Sequence, residues 1–305
     1  YDTAGNVSEH WLENGTGTIE YTYPDGTKSF VGTYKNGKAN GSFKWYYPDG
    51  SLETSGNYVN GTRSGEWSYY YLNGQLTSKL NYMGGDRVGP YTSYYDNGKK
   101  NIVCTYVNGE IEGEYTKYFR NGNLKEKSDY INGDIHGWRV NYAPTGQIAS
   151  RRKYVDDVIV AYQSPKSDGS YTELIPVDGS ETEVTCKFPN GNTSLSFTMA
   201  KGVYDGDFKW FYPNGQLYSK TSYDKHVIEG EVINYFSDGT ISSKYQYNND
   251  ELHGLCIDYY TNGKMKRQRN FYAGDLEGVT TNYDKNGNVT SRYLYFADDI
   301  YTKLP

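Results

Sequence analysis

The stretch WYYPDGSLETSGNYVNGTRSG, residues 45–65, decides the fold. Aromatic residues run up to a break at Pro48-Asp49-Gly50, and a second polar run ends at Asn60-Gly61. Two short aromatic and β-branched runs split by a turn read as a β-hairpin. Proline at the first loop position and glycine at the third fit a type I turn followed by a left-handed residue, which gives a three-residue loop. Glycine takes that φ without steric penalty. The segment Val59–Gly65 then leads to the next hairpin.

The same writing recurs along the chain. Turn glycines fall at Gly26, Gly50, Gly74, Gly98, Gly122 and Gly146, then at Gly191, Gly215, Gly239, Gly263 and Gly287, each group in steps of 24 residues. Between Gly146 and Gly191 the sequence YQSPKSDG, ending at Gly169, marks a degenerate unit, and Gly5 marks a partial first one. Other columns keep the phase. A second glycine lies nine positions before the turn glycine (Gly41, Gly65, Gly89), a tyrosine four before (Tyr46, Tyr70, Tyr94), an aliphatic residue two after (Leu52, Leu76, Leu124) and a tyrosine eight after (Tyr58, Tyr82, Tyr106). A fixed period of this length is the signature of a repeat array.

The expected fold is all-β: an elongated, single-layer antiparallel array of about twelve to thirteen hairpins, adding roughly 10 Å per repeat. The expected organisation is repeats over 1–154, a degenerate repeat over 155–187, and repeats over 188–305 continuous with the first block. A three-residue loop makes the tyrosine four before the glycine and the leucine two after it cross-strand partners. Strand alternation then puts the tyrosine eight after on their face. The aromatics three, five and seven before would face the other side.

Composition narrows the function. Hydrophobic residues are 36% of the chain and 36 residues are Tyr, whose ring packs while its hydroxyl stays wet. Net charge is −6, and the basic stretches Lys264–Arg269 and Arg151–Lys153 are short. This argues against nucleic acid, which asks for a basic patch, and against anionic membranes. No apolar run reaches the ~18 residues of a membrane helix. No secretory signal is visible, and the chain opens on Tyr1, as a trimmed product would. A surface rich in Tyr, Asn, Thr and Gly favours a secreted or cell-surface setting over the cytoplasm.

The chemistry-bearing residues do not assemble into a site. Cys104, Cys186 and Cys256 fall in different units and columns, at least ~30 Å apart in a regular array, so free thiols are expected. No metal-ligand spacing occurs. His10, His136, His226 and His253 are scattered, without the nucleophile and acid a relay needs. Asp156-Asp157 and Asp298-Asp299 lie where the repeat decays and read as solvated loop acids, not as a calcium loop. The second glycine of each unit is expected to admit a tyrosine ring or a tight turn. No enzyme activity and no cofactor are expected. The feature with functional potential is the aromatic ladder. Trp45, Tyr47, Trp67, Tyr71, Tyr95, Trp210 and Tyr212 are the candidate interaction face, because open aromatic stripes mark contact surfaces.

The segments YYLNGQLTSKLNYMGG and WFYPNGQLYSK resemble the bacterial variant of the MORN repeat, an antitoxin-like (YwqK-type) family, over nearly the whole chain and least at 155–187. The resemblance implies successive hairpins in elongated antiparallel sheets and a scaffold for protein contact. The YY…NG hairpins are also similar to choline- and glucan-binding cell-wall repeats, though the recurring Gly-Trp of those is missing. A protein partner is the first reading. A polysaccharide stacked on the ladder, or a purely structural spacer, is the alternative.

Overall fold

A computed structural model describes residues 12–177, 179–200 and 203–304. The partial unit at Gly5, together with His10, lies outside them. Among the described residues the chain is strands joined by turns, and the one helical element is a 3-10 turn at Glu13–Gly15. The strands form a sixteen-stranded and a fourteen-stranded sheet, each antiparallel and with neighbours nearly in sequence order. The break between the sheets follows the two-residue strand Ile175–Pro176 and precedes Thr182–Lys187.

The three-residue loop is present as expected. Gly50 N donates to Tyr47 O and Tyr47 N to Ser51 O, both at 2.8 Å, with Gly50 at φ +83°. The pattern recurs at each turn glycine, including Gly169 of the degenerate unit, where Gly169 N donates to Lys166 O and Lys166 N to Ser170 O. The second connection is a two-residue turn. Asn60 and Gly61 both have positive φ, at 51° and 88°, between the paired residues Val59 and Thr62. Asn-Gly suits such a turn because both positions need φ > 0. Each of these turns hydrogen-bonds the one before it: Gly61 N donates to Ala39 O at 2.7 Å and Gly109 N to Arg87 O at 3.0 Å.

The expected assignment of faces fails for one column, the tyrosine eight after the turn glycine. Tyr46 pairs with Leu52, as the loop length requires, but Trp45 pairs with Thr54. Glu53 is therefore an extra residue, a β-bulge, and a one-residue shift sends the following side chains to the other face. The same slip occurs between Tyr69 and Tyr70 and between Trp210 and Phe211. Tyr58 thus lies opposite Gly41 and shares a face with Phe43 and Trp45. The rings meet there, Phe43–Tyr58 with centroids 4.7 Å apart and Tyr58–Trp67 5.2 Å apart. The second glycine column is explained by backbone shape. Gly65 and Gly89 have φ of 67° and 77°, and no atom crowds the place of a Cβ at either.

The chain divides into two compact units, one ending at residue 123 and including 129–134, the other formed by 124–128 and 135–305. In the first unit a single layer makes its own core. Trp67, Leu80 and Tyr82 are buried, with Trp45, Tyr58, Tyr69 and Tyr91 packed against them. Trp67 lies flat over Gly56, where a Cβ would come within 2.2 Å of the ring. The Arg63 guanidinium stacks 4.5 Å from the ring centroid and donates to Tyr82 Oη at 3.1 Å.

The second unit adds a packing that the sequence reading has no counterpart for. Strand Ile148–Val155 of one sheet packs on strands Thr182–Lys187 and Thr193–Ala200 of the other. Ala143, Ala149 and Phe188 close together with Trp210 against them, and Ser194 Oγ donates to Ala149 O at 2.5 Å. Val184, Cys186, Leu195, Phe197 and Met199 are almost fully buried here. Met199 stands where the regular repeats carry Tyr58 and Tyr82, and two facing layers can bury this more apolar set.

Candidate interaction surfaces

The seven aromatic residues singled out in the sequence do not form an open face. Trp67 is completely buried. Trp45 is half-buried, its ring 6.0 Å from that of Trp67. Trp210 is half-buried against Ala143, Ala149 and Phe188. Tyr47, Tyr71, Tyr95 and Tyr212, three before their turn glycines, each use the phenol to hold the next hairpin. Tyr47 Oη donates to Tyr70 O at 2.7 Å, Tyr71 to Tyr94 O at 2.9 Å, Tyr95 to Tyr118 O at 2.7 Å and Tyr212 to Tyr235 O at 2.9 Å. The accepting carbonyls sit beside the bulge of the following unit. The ladder is therefore a set of ties between hairpins, and for Trp67 the interaction-face reading is corrected outright.

Phe119 and Phe236 occupy the same column without a hydroxyl, so the ring alone is tolerated. Tyr71→Phe is expected to cost about 1 kcal/mol, the net worth of one hydrogen bond. A urea midpoint unchanged from wild type would show that the Tyr71–Tyr94 tie carries no stability.

Asparagine makes a second tie. At the position before the turn glycine, Asn73, Asn97 and Asn262 accept from their own turn through Oδ1 and donate Nδ2 to Asp96 O, Arg120 O and Lys285 O of the next hairpin, at 2.8–3.0 Å. Aspartate at that position keeps only the local bond. Asp25, Asp168 and Asp238 accept from Thr27, Ser170 and Thr240, and those hydrogen bonds hold their carboxyls below the ordinary value. The doublets Asp156-Asp157 and Asp298-Asp299 also have backbone work. Asp157 Oδ1 accepts from Ile135 N at 2.8 Å and Asp298 Oδ1 from Leu276 N at 2.6 Å.

The remaining candidates stay apart. The three cysteines are free and buried, and burial pushes the Cys104 and Cys186 thiols up to about 11. His136 Nδ1 lies 3.1 Å from Asp156 Oδ1 at an exposed turn. The His226 ring stacks on Tyr204 with centroids 5.0 Å apart, and that of His253 lies 5.4 Å from Tyr272. Among the described residues, no three His, Cys, Asp or Glu side chains converge as metal ligands would.

What the sequence reading missed is a different column. Nine after the turn glycine, next to the two-residue turn, stand Val59, Met83, Val107, Ile131 and Val155, then Tyr272 and Phe296. They are 40–70% exposed. Strand Leu76–Met83 shows why: Ser78, Leu80 and Tyr82 point into the aromatic layer, and Lys79, Asn81 and Met83 point out. The signal was legible as a conserved phase of apolar residues, one position out of step with the tyrosine column.

Seven segments, 39–60, 63–83, 87–108, 111–132, 204–225, 228–249 and 252–271, match the family model described as the MORN repeat variant. The chain belongs to the MORN-repeat-variant family. The limits of the matched segments follow the structural repeat, running from one two-residue turn to the next. Among solved structures, this MORN-variant chain is similar to a chain in the crystal structure of TcdB2-TccC3, at 11% identity and a TM-score of 0.18, covering 93% of this chain and 18% of that one. It is similar also to a chain of the Photorhabdus luminescens Tc holotoxin pore, at 11% identity and a TM-score of 0.17, covering 93% and 19%. The MORN-variant chain thus spans less than a fifth of either chain's length. No curated protein matches the sequence. Among the described residues no helix is long and apolar enough to cross a membrane.

Proposed function

We propose that this chain is a non-enzymatic scaffold whose repeats present an outward surface to another protein. The observation that carries the reading is the exposed apolar residue at one fixed position of successive repeats, while the aromatic rings are spent on packing. Exposed apolar side chains in register form a stripe, and stripes of that kind mark protein contacts. The carbohydrate reading has less support, because it needs open ring faces and Trp45, Trp67 and Trp210 are packed on. The test is affinity capture with the purified chain as bait in an extract of its source cell, followed by titration of what is retained. A protein that binds saturably is the expected result. Retention of polysaccharide alone, or of nothing, overturns the proposal.

A further inference from the structure

In the first unit the exposed apolar column is interleaved with acid. Met83 pairs across its turn with Asp86, and Val107 with Glu110. Ile131 and Asp134 flank the next turn at Asn132-Gly133, on the paired strands Leu124–Ile131 and Asp134–Ile135. Met83, Val107 and Ile131 are 68%, 49% and 47% exposed, and all three acids are exposed. Among the described residues no cation pairs with Asp86, Glu110 or Asp134. Each turn is hydrogen-bonded to the one before it, through Gly85 N to Arg63 O, Gly109 N to Arg87 O and Gly133 N to Ile111 O. The carboxylates lean along this row. A Cβ on Gly133 would lie 2.4 Å from Glu110 Oε2, and one on Gly109 would lie 3.9 Å from Asp86 Oδ1. The result is three apolar side chains and three uncompensated carboxylates alternating at a step of about 10 Å, two strand spacings.

From this row we infer a docking edge for an extended, cationic segment of a partner protein; the inference rests on the scaffold reading and specifies its partner. Like charges about 10 Å apart stand at about one Debye length in ~0.1 M salt and repel at lower ionic strength. A lysine or arginine of the partner relieves that repulsion, while an apolar side chain beside it covers Met83, Val107 or Ile131. A polyproline-II-like chain has three residues per turn and rises about 3.1 Å per residue, so it turns the same side to the row about every 9 Å. That matches the repeat. Strand twist turns the row along its length, and a flexible segment follows such a ridge where a rigid second copy cannot. Anionic lipid and nucleic acid are repelled by the same carboxylates.

The test uses fluorescence anisotropy with the full chain and a labelled peptide of four Leu-Lys-Lys triplets. Ser-Lys-Lys and Leu-Glu-Glu peptides of the same length are the controls. The wild type binds the Leu-Lys-Lys peptide, the Ser-Lys-Lys peptide at least ~10-fold more weakly and the Leu-Glu-Glu peptide not at all. The triple variant Asp86→Lys/Glu110→Lys/Asp134→Lys loses binding, and Met83→Ser/Val107→Ser/Ile131→Ser weakens it at least ~10-fold. All six positions are exposed, so both variants keep the wild-type circular dichroism. Equal binding of the Leu- and Ser-containing peptides overturns the inference in favour of bare charge attraction. Unchanged binding by the variants, or none by the wild type, overturns it too. So does self-association in sedimentation that the variants abolish, since the edge would then serve a second copy. The failures separate. A protein captured equally by wild type and both triple variants sinks the edge and leaves the scaffold. A wild-type bait that captures nothing sinks the scaffold.

Discussion

Trp67→Ala is expected to destabilise the first unit by about 3–5 kcal/mol, the range for removing a large buried aromatic side chain. Trp67 is fully buried, and Leu80, Tyr82, Trp45, Tyr58, Tyr69 and Tyr91 pack around it among the described residues. Without the indole, Leu80 and the rings of Tyr58 and Tyr82 face water. Asn57 O loses the Nε1 donor at 3.2 Å, and Arg63 loses the ring under its guanidinium. Gly56 offers no side chain to fill the gap. Repeat arrays couple each unit mainly to its neighbours, so the loss should be local. Amide exchange should accelerate first in Lys38–Tyr46, Leu52–Val59, Thr62–Tyr70 and Leu76–Met83, and the urea midpoint should fall. Gly56→Val attacks the same contact from below, since its Cβ would sit inside the ring's contact distance. A midpoint within about 0.5 kcal/mol of wild type for Trp67→Ala, the scatter of neutral surface changes, would mean that the layer closes over the gap.

The hairpins were legible because turn chemistry is local. Pro48-Asp49-Gly50 and Asn60-Gly61 specify their loops through φ preferences that need nothing from the rest of the chain. The faces were not legible. They depend on the extra residue Glu53 between the Tyr46–Leu52 and Trp45–Thr54 pairs. A bulge of one residue has no compositional mark here, yet it exchanges the inside and outside of every strand that follows the turn. With the faces exchanged, the aromatic column became core and the apolar column at Met83 and Val107 came out to solvent. The phenol ties were hidden for another reason. That Tyr71 Oη meets Tyr94 O is fixed by the rise from one hairpin to the next, which sequence spacing alone does not give. The alternation of Leu195, Phe197 and Met199 went unread, and no pattern in the chain names Ile148–Val155 as what covers that face.

Alkali should unfold the protein well before the backbone is attacked, because several buried tyrosines are held neutral. Burial, foremost, pushes Tyr245 up to about 12, helped by the Asp258 charge to which its hydroxyl donates at 2.5 Å. Burial likewise pushes Tyr69 up to about 12 and raises Tyr204, which is packed beside Arg152 and Tyr154. Tyr82 runs the other way: burial, the largest single influence, raises it, but hydrogen bonds from Arg63, Tyr69 and Arg87 together with the Arg63 charge outweigh burial and lower it. In the unfolded chain these phenols titrate near 10. Above that pH the unfolded state releases protons that the folded state keeps, so the folded state binds more protons and stability falls as pH rises. The contribution is fully present below about pH 10 and is lost as pH climbs toward the folded values. Each tyrosine still protonated in the fold at about pH 11 contributes a loss on the order of 1 kcal/mol. The Cys186 thiol, pushed up to about 11 by burial, adds the same sign from about pH 9. Unfolding free energies from urea titrations should therefore be level from about pH 7 to 8.5 and lower by several kcal/mol at about pH 11. Tyrosinate absorbance of the native protein should lag that of the urea-unfolded chain over the same window. Coincident titration curves would place the hydroxyls of Tyr69, Tyr204 and Tyr245 in water and undo the account of these phenols as buried.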